Sequence, residues 1–210
     1  MCIGTALMAI VGWVPPISPM ATESDIYQLY QLDYFSIRTA MIFIMIGAGF
    51  IIPFTSTVSI LIARVEGGFG VLAATALVSG FAIAVLTFFP ALIWLLAAFR
   101  PERSPELLYM LNDGAWLIFV GALFITYPFF IVLAIACFAE KGERRVFQRW
   151  YGYFNAWIAV SFLPGQLLFF IKTGPFAWDG LLSFYLPFGA FFIWLVPTIR
   201  YIWKAANETN

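Results

Sequence analysis

The chain has 210 residues, of which 63% are apolar, 20% aromatic and only 10% charged. Because soluble globular domains contain about 25% charged residues, this composition excludes an ordinary water-soluble fold. Eleven basic residues balance eleven acidic ones, so no net charge favours a nucleic-acid partner. Two cysteines and no histidine exclude a disulfide framework, a Cys-rich metal site and His-ligated haem, copper, zinc or iron, and the sequence predicts no cofactor.

The long apolar segments predict a transmembrane helical bundle. A spanning helix needs about 20 apolar residues, because the hydrocarbon core is about 30 Å thick. Five segments are long enough, at about residues 39–63, 69–99, 114–138, 150–171 and 181–203. They predict a single all-α domain over residues 1–210 that crosses the membrane several times.

The opening segment, residues 1–14, is apolar but short. A helix of about 14 residues covers only about 21 Å at 1.5 Å per residue. We expect a short sixth span here; a tilted span and a helix that begins upstream of Met1 are the alternatives. A cleaved signal peptide is not expected, because the segment lacks basic residues at its start and runs into Pro15 and Pro16.

Two short helices are expected on the outer side, in the membrane interface. Thr22-Glu23-Ser24-Asp25 has the spacing of a capping box, which satisfies free amides at a helix start. Apolar residues recur at helical spacing after it, from Ile26 to Ile37, so an amphipathic interfacial helix is predicted before the second span. Ser104-Pro105-Glu106 predicts a second helix of about two turns that ends near Asn112.

Charge asymmetry predicts the orientation, because cytoplasmic loops are enriched in Lys and Arg. In the six-span arrangement, one side has Arg38, Arg100, Arg103 and Lys172. The other side has seven basic residues: Arg64, Lys141, Arg144, Arg145, Arg149, Arg200 and Lys204. The second side is therefore expected to be cytoplasmic, with both termini on it.

Prolines interrupt every one of the five apolar segments. They are Pro53, Pro90, Pro128, Pro164 and Pro187, with Pro197 near the end of the last segment. Each removes a backbone hydrogen bond and should kink its helix, although membrane helices tolerate proline where neighbouring groups satisfy the backbone. A Pro-Gly pair followed by a glutamine amide is the strongest candidate for a mid-membrane polar site. That candidate site comprises Asn155, Ser161, Pro164, Gly165 and Gln166. The two carboxamides lie 11 residues apart, about three helical turns, so one shared polar face is a further possibility.

A second candidate site is a polar set on the outer face. It comprises Arg100, Arg103, Asn112, Asp113, Lys172, Trp178 and Asp179. Charged residues and tryptophans at this depth normally act as interfacial anchors and ion pairs. Binding of a polar head group at the outer mouth is the alternative.

Three loop motifs resemble those of a small group of uncharacterised bacterial inner-membrane proteins of similar length. The motifs are Pro15-Pro16-Ile17-Ser18-Pro19, Phe99-Arg100-Pro101-Glu102-Arg103 with Leu111-Asn112-Asp113, and Gly174-Pro175-Phe176-Ala177-Trp178-Asp179-Gly180. The resemblance covers nearly the whole chain and implies a bacterial origin and a location in the inner (cytoplasmic) membrane. It implies no activity and assigns no functional residue.

An accessory or interaction subunit that packs against lipid or a larger membrane complex is the leading functional hypothesis. It is favoured because no ionisable residue for a proton relay lies within the spans and no nucleotide-binding loop is present. A carrier or binding protein for an apolar molecule, such as a lipid, sterol or quinone, is the alternative, with bent helices around an aromatic cavity near Pro164. An enzyme is least favoured, although Asp113 or Glu106 at the outer surface could serve as a general base if a substrate were held there.

Overall fold

The computed structural model describes residues 15–141 and 145–207, and within these ranges every regular element is helical. Six α-helices follow in chain order: α1 Glu23–Glu66, α2 Val71–Phe99, α3 Pro105–Trp116, α4 Tyr127–Ala139, α5 Arg149–Ser161 and α6 Leu186–Asn207. Short π-helical and 3-10 turns connect the later ones. The π-helical turns are Leu117–Gly121 and Leu181–Tyr185, and the 3-10 turns are Ala122–Thr126, Leu163–Phe169 and Gly174–Phe176.

Within residues 15–141 and 145–207, four segments are long and apolar enough to cross a membrane: Glu23–Glu66, Val71–Phe99, Pro105–Ala139 and Gly174–Asn207. Large apolar side chains cover the outside of the bundle; Phe50 is 71% exposed, Val78 70% and Phe170 85%. A soluble protein rarely exposes so much apolar surface. Length, composition and this outer surface fit a membrane-spanning helical bundle.

Of the six expected spans, four correspond to segments of the described residues that are long and apolar enough to cross a membrane. Residues 150–171 do not form one continuous helix, because α5 ends at Ser161 and a 3-10 turn with Pro164 in its first turn follows. Proline lacks the amide that would continue the α-helical hydrogen bonding, and Gly165 beside it lowers helix propensity further. The short first span, residues 1–14, lies outside the described residues.

The two short outer helices expected from the sequence do not form separate elements; each is the first part of a longer segment. The capping box is present, with the Asp25 amide donating to Thr22 Oγ1 at 3.2 Å and the Thr22 amide donating to Asp25 Oδ2 at 2.8 Å. The helix that it starts passes into the next apolar segment without a break, since no glycine or proline lies between Asp25 and Gly47, and it ends only at Glu66. The helix that starts at Pro105 likewise continues past Asn112 to Trp116 and passes directly into a π-helical turn.

Helices α1 and α2 form a long antiparallel hairpin. Gly67 adopts a left-handed conformation (φ 76°) and ends α1, which is the usual role of glycine at a helix C-terminus. Glu66 then caps the start of α2, since the amides of Leu72 and Ala73 donate to its carboxylate at 3.1 and 2.8 Å. Further along, a Cβ atom on Gly80 would lie only 2.5 Å from Thr55 Cβ. The two helices therefore pack in close contact.

The buried core divides into two hydrophobic clusters along the bundle. One joins the C-terminal half of α1, the start of α2, α4, α5 and α6. We define the basic end as the end of the bundle where Glu66, Ala139, Arg149 and Asn207 lie. The other cluster, at the opposite end, joins the N-terminal half of α1, the end of α2, α3 and residues around Trp178 and Phe184.

Candidate functional site: an aromatic pocket at the helix interruptions

A cavity of about 80 Å³ lies where the two hydrophobic clusters meet. The hairpin contributes aliphatic residues and one threonine to its wall: Ile44, Ile83, Leu86 and Thr87. The rest of the chain contributes mainly aromatic residues: Phe119, Leu123, Thr126, Phe130, Phe162, Pro187, Phe188 and Phe191. We call this cavity the aromatic pocket. It draws on both halves of the chain and on both clusters.

Ring contacts hold the walls of the aromatic pocket in place. On one side, the Phe119 ring lies edge-on to Phe188, with centroids 5.2 Å apart, and edge-on to Trp94 at 5.5 Å. On the other side, Phe130 lies edge-on to Phe162 at 5.4 Å and to Trp194 at 5.5 Å. Edge-to-face pairs at these distances are favourable, so the rings are braced from behind.

The hydroxyl groups of the two threonines that line the aromatic pocket donate hydrogen bonds to backbone carbonyls. The Thr87 hydroxyl donates to the Ile83 carbonyl at 2.9 Å, and the Thr126 hydroxyl donates to the Leu123 carbonyl at 2.7 Å. Both bonds lie within the threonine's own helical segment. The pocket therefore presents an apolar surface to any occupant.

The interruptions of the helices pack against one another beside this pocket. Gln166, in the 3-10 turn after α5, donates through Nε2 to the carbonyl of Gly121 at 3.0 Å. Gly121 lies at the junction of the π-helical and 3-10 turns, and a Cβ atom there would meet the Phe169 ring at 2.4 Å. Irregular backbone within a membrane needs such partners, because no water satisfies its polar groups. π-helical turns often occur at functional sites.

The candidate mid-membrane residues are divided between two environments. Gln166 and the buried Gly165 lie at the interruption, the latter near the backbone carbonyls of Val120 and Ser183. The Ser161 hydroxyl donates to the Ile158 carbonyl of its own helix at 2.8 Å. Asn155 bonds elsewhere, so a polar face shared by the two carboxamides does not form.

Asn155 belongs to a buried polar network that joins α5 to α6. Its Oδ1 accepts the indole N–H of Trp194 at 3.0 Å, and its Nδ2 donates to the Tyr151 carbonyl at 2.7 Å. The Tyr151 hydroxyl lies 2.5 Å from Thr198 Oγ1, which also donates to the Trp194 carbonyl at 2.6 Å. All four residues are buried, and the network fastens the two helices together.

The arginines of the outer-face set lie at the end of α2. Arg103 donates through Nη1 to the Leu96 carbonyl at 2.8 Å, while Arg100 is exposed. Arg38 of α1 donates to the carbonyls of Ala98 and Phe99 at 2.9 and 2.8 Å. The last carbonyls of a helix lack intrahelical partners and carry partial negative charge. Arg38 and Arg103 therefore cap α2.

The remaining outer-face residues also have neighbours within the bundle. Asn112 is 1% exposed and accepts from the Tyr30 hydroxyl at 3.5 Å. The Trp178 indole donates to the Ile17 carbonyl at 2.7 Å, so the proline-rich segment before α1 packs on the Gly174–Phe176 turn. The carboxylate of Asp113 interacts with the Lys172 charge, and that of Asp179 with the Ser18 hydroxyl. The set therefore gathers at one end of the bundle, where its members contact α1, α2 and the segment before α1.

Most residues that line the aromatic pocket were not predicted from the sequence. It pointed to a cavity near Pro164, and Phe162 does line the pocket. The other rings could not be singled out, because the chain has 24 phenylalanines with nothing in their local pattern to distinguish them. Only the interruption at residues 163–169 had a local signal, the Pro-Gly pair.

A lateral groove adjoins the aromatic pocket. It has a volume of about 200 Å³ and shares Ile83 and Phe191 with the pocket. Its other lining residues are Gly47, Phe50, Ile51, Phe54, Thr55, Trp194, Leu195 and Ile199. Phe50 and Ile199 are 71% and 54% exposed, so the groove reaches the outer apolar surface of the bundle.

No model of a known protein family matches this chain, and no curated protein or solved structure matches it either. The resemblance drawn from the loop motifs therefore stays an expectation, and the case for a function depends on the geometry of the site.

Proposed function

We propose that this protein is an integral membrane protein that binds an apolar chain in the aromatic pocket. The observation that carries the proposal is the convergence of interrupted helices on a cavity walled by five phenylalanines. Ligand pockets in proteins are typically concave, mostly apolar and lined by aromatic side chains. An apolar cavity of this kind does not hold water, and an apolar guest can fill it.

The size of the cavity favours a narrow, flexible guest. Pockets that enclose whole drug-sized molecules have volumes of about 300–1,000 Å³. The aromatic pocket, at about 80 Å³, accommodates only part of a chain, and the adjoining groove of about 200 Å³ extends the space toward the outer surface. This geometry favours an acyl or isoprenoid chain, as in a lipid or a quinone tail, over the rigid rings of a sterol.

The proposed topology has a fifth crossing made of α5 and the 3-10 turn that follows it. Gly152 of α5 contacts Cys137 and Phe138 near the basic end, whereas Trp178 contacts Ile17 at the opposite end. The basic end is proposed to face the cytoplasm of a bacterial inner membrane, which places the C-terminus there. A C-terminal reporter that works only in the cytoplasm should be active, and activity only on the other side would reverse the assignment.

The binding proposal is tested by a matched pair of variants at positions two residues apart in the same 3-10 turn. Leu123 lines the pocket, whereas Ile125 is 57% exposed on the outside of the same segment. Leu123→Trp should fill the pocket, and Ile125→Trp adds the same side chain outside it. Each protein is purified in the same mild detergent and extracted with organic solvent, and the retained apolar molecules are measured per protein by mass spectrometry.

We expect wild type and Ile125→Trp to retain the same apolar species at near-stoichiometric amounts, and Leu123→Trp to lose most of it. Equal thermal stability of the two variants ensures that the loss reflects the pocket. Equal retention by both variants, or no retained molecule in any of them, would contradict the proposal. A protein that copurifies at fixed stoichiometry, without a retained apolar molecule, would instead support an accessory subunit of a larger membrane complex.

A further inference from the structure

An open cleft separates α5 from α6 at the basic end, with a volume of about 1270 Å³. Three basic side chains line it: Arg145, which precedes α5, and Arg200 and Lys204 of α6. The last two lie four residues apart and therefore share one helix face. Sequence alone places Arg145 in a charged turn far from the other two, and only the fold brings all three to one cleft.

The wall of the cleft changes from basic to apolar along α6. Ile193, Val196 and Pro197 continue the face that Arg200 and Lys204 begin. Ile193 is 63% exposed and Val196 54%, so this part of the wall is open to the surroundings of the bundle. The change takes place over about 16 Å at 1.5 Å per residue. A lipid headgroup with the first part of its acyl chains has the same polar-to-apolar sequence.

Aromatic side chains brace the wall at the level where the basic residues begin. The Trp150 indole N–H donates to Oε1 of the Gln148 side chain at 2.7 Å, and the Tyr201 hydroxyl accepts from the backbone N–H of Gln148 at 3.3 Å. The Tyr201 ring also packs against Tyr151, with centroids 4.9 Å apart. Tryptophan and tyrosine are enriched at this depth, at the boundary between headgroups and hydrocarbon.

We propose that this cleft binds the phosphate headgroup of an anionic glycerophospholipid, with an acyl chain along Ile193 and Val196. Basic pockets between membrane helices on the cytoplasmic side bind such headgroups. The apolar wall favours a phospholipid over a free phosphate ion, because only the lipid has a chain to cover it. The inference depends on the proposed membrane location but not on the aromatic pocket.

The test compares two lipids that differ in headgroup charge. Wild-type protein in mild detergent is titrated with phosphatidylglycerol or phosphatidylcholine, and bound lipid is counted by native mass spectrometry. The cleft variant is Arg200→Gln with Lys204→Gln. The control, Arg64→Gln with Arg100→Gln, removes the same charge from two exposed arginines that do not line the cleft.

Wild type and control should bind phosphatidylglycerol at least tenfold more tightly than phosphatidylcholine, and the cleft variant should lose this preference. Equal affinity for the two lipids in wild type, or equal affinity of the two double variants for phosphatidylglycerol, would overturn the proposal. Displacement of the lipid by millimolar inorganic phosphate would show a site for the free anion and would also overturn it. Leu123→Trp should bind phosphatidylglycerol with wild-type affinity. Failure of the proposed binding in the aromatic pocket can therefore be distinguished from failure of the proposed headgroup site.

Discussion

The α1–α2 hairpin and the C-terminal half of the chain contrast in helical continuity. The hairpin has two uninterrupted helices of 44 and 29 residues, each with a proline inside. In the C-terminal half, π-helical and 3-10 turns interrupt the apolar segments at residues 117–126, 163–169 and 181–185. Pro128 lies in the first turn of α4, directly after the interruption at residues 117–126, and Pro164 lies in the first turn of the interruption at residues 163–169. A proline within an apolar segment therefore does not by itself decide whether the helix breaks.

Close packing of backbones distinguishes the hairpin from the interruptions. In the hairpin, small residues let two regular helices approach, as at Gly80 against Thr55. At the interruptions, side chains satisfy irregular backbone, as Gln166 does for Gly121. The hairpin therefore acts as a regular wall, and the C-terminal half supplies the irregular backbone and most of the rings of the aromatic pocket.

Among the glycine substitutions that compare the two regions, Gly80→Ala is expected to lower the stability of the protein most. The new methyl group would overlap Thr55 Cβ, which is fixed to the backbone of α1, so the two helices would have to separate. Overpacking of this kind costs about 1–3 kcal/mol. We expect a clear loss of thermal stability in detergent, and unchanged stability would show that the hairpin is loosely packed. Gly49→Ala is the control, because nothing lies within 4 Å of its new methyl group and stability should be kept or slightly increased.

The same substitution at an interruption, Gly121→Ala, should have a smaller effect. The methyl group meets the far end of the Phe169 ring, and that side chain is 54% exposed and can turn aside. Displacement of a side chain from its preferred rotamer costs about 0.5–1.5 kcal/mol. The stability loss, measured in the same melting experiment, should lie between those of Gly49→Ala and Gly80→Ala. A loss greater than that of Gly80→Ala would mean that the interruption is the more rigid region.

The sequence predicted the features that depend on local pattern. Residue composition predicted a membrane-embedded helical protein, and Thr22 with Asp25 predicted the helix start. Pro164 was expected to kink its helix, and α5 ends just before it. Nothing local marked the interruption at residues 117–126, which begins well before Pro128. Its backbone is held partly by Gln166, 45 residues away, and no short sequence window contains that partner.

The partners of charged residues near the ends of the helices are also hard to read from the sequence. A basic residue at the membrane interface has several possible partners, and its sequence neighbours do not show which it uses. Arg38 caps carbonyls about 60 residues away at the end of α2. At the basic end an acidic residue binds backbone donors instead: the Glu140 carboxylate accepts from the backbone amides of Val146 and Phe147 at 2.5 and 3.0 Å. Charges at both ends thus serve backbone groups of neighbouring elements.

Whether the aromatic pocket holds an apolar chain can be seen in the protein embedded in a bilayer. An experimental structure in lipid nanodiscs, at a resolution that shows ordered acyl chains, is the measurement. If the pocket binds an apolar chain, continuous apolar density should enter from the lateral groove and end between Phe119, Phe130 and Phe162, and it should be missing in Leu123→Trp. An empty pocket, ordered water in it, or rings that close the space in the wild-type protein would show that no chain binds there.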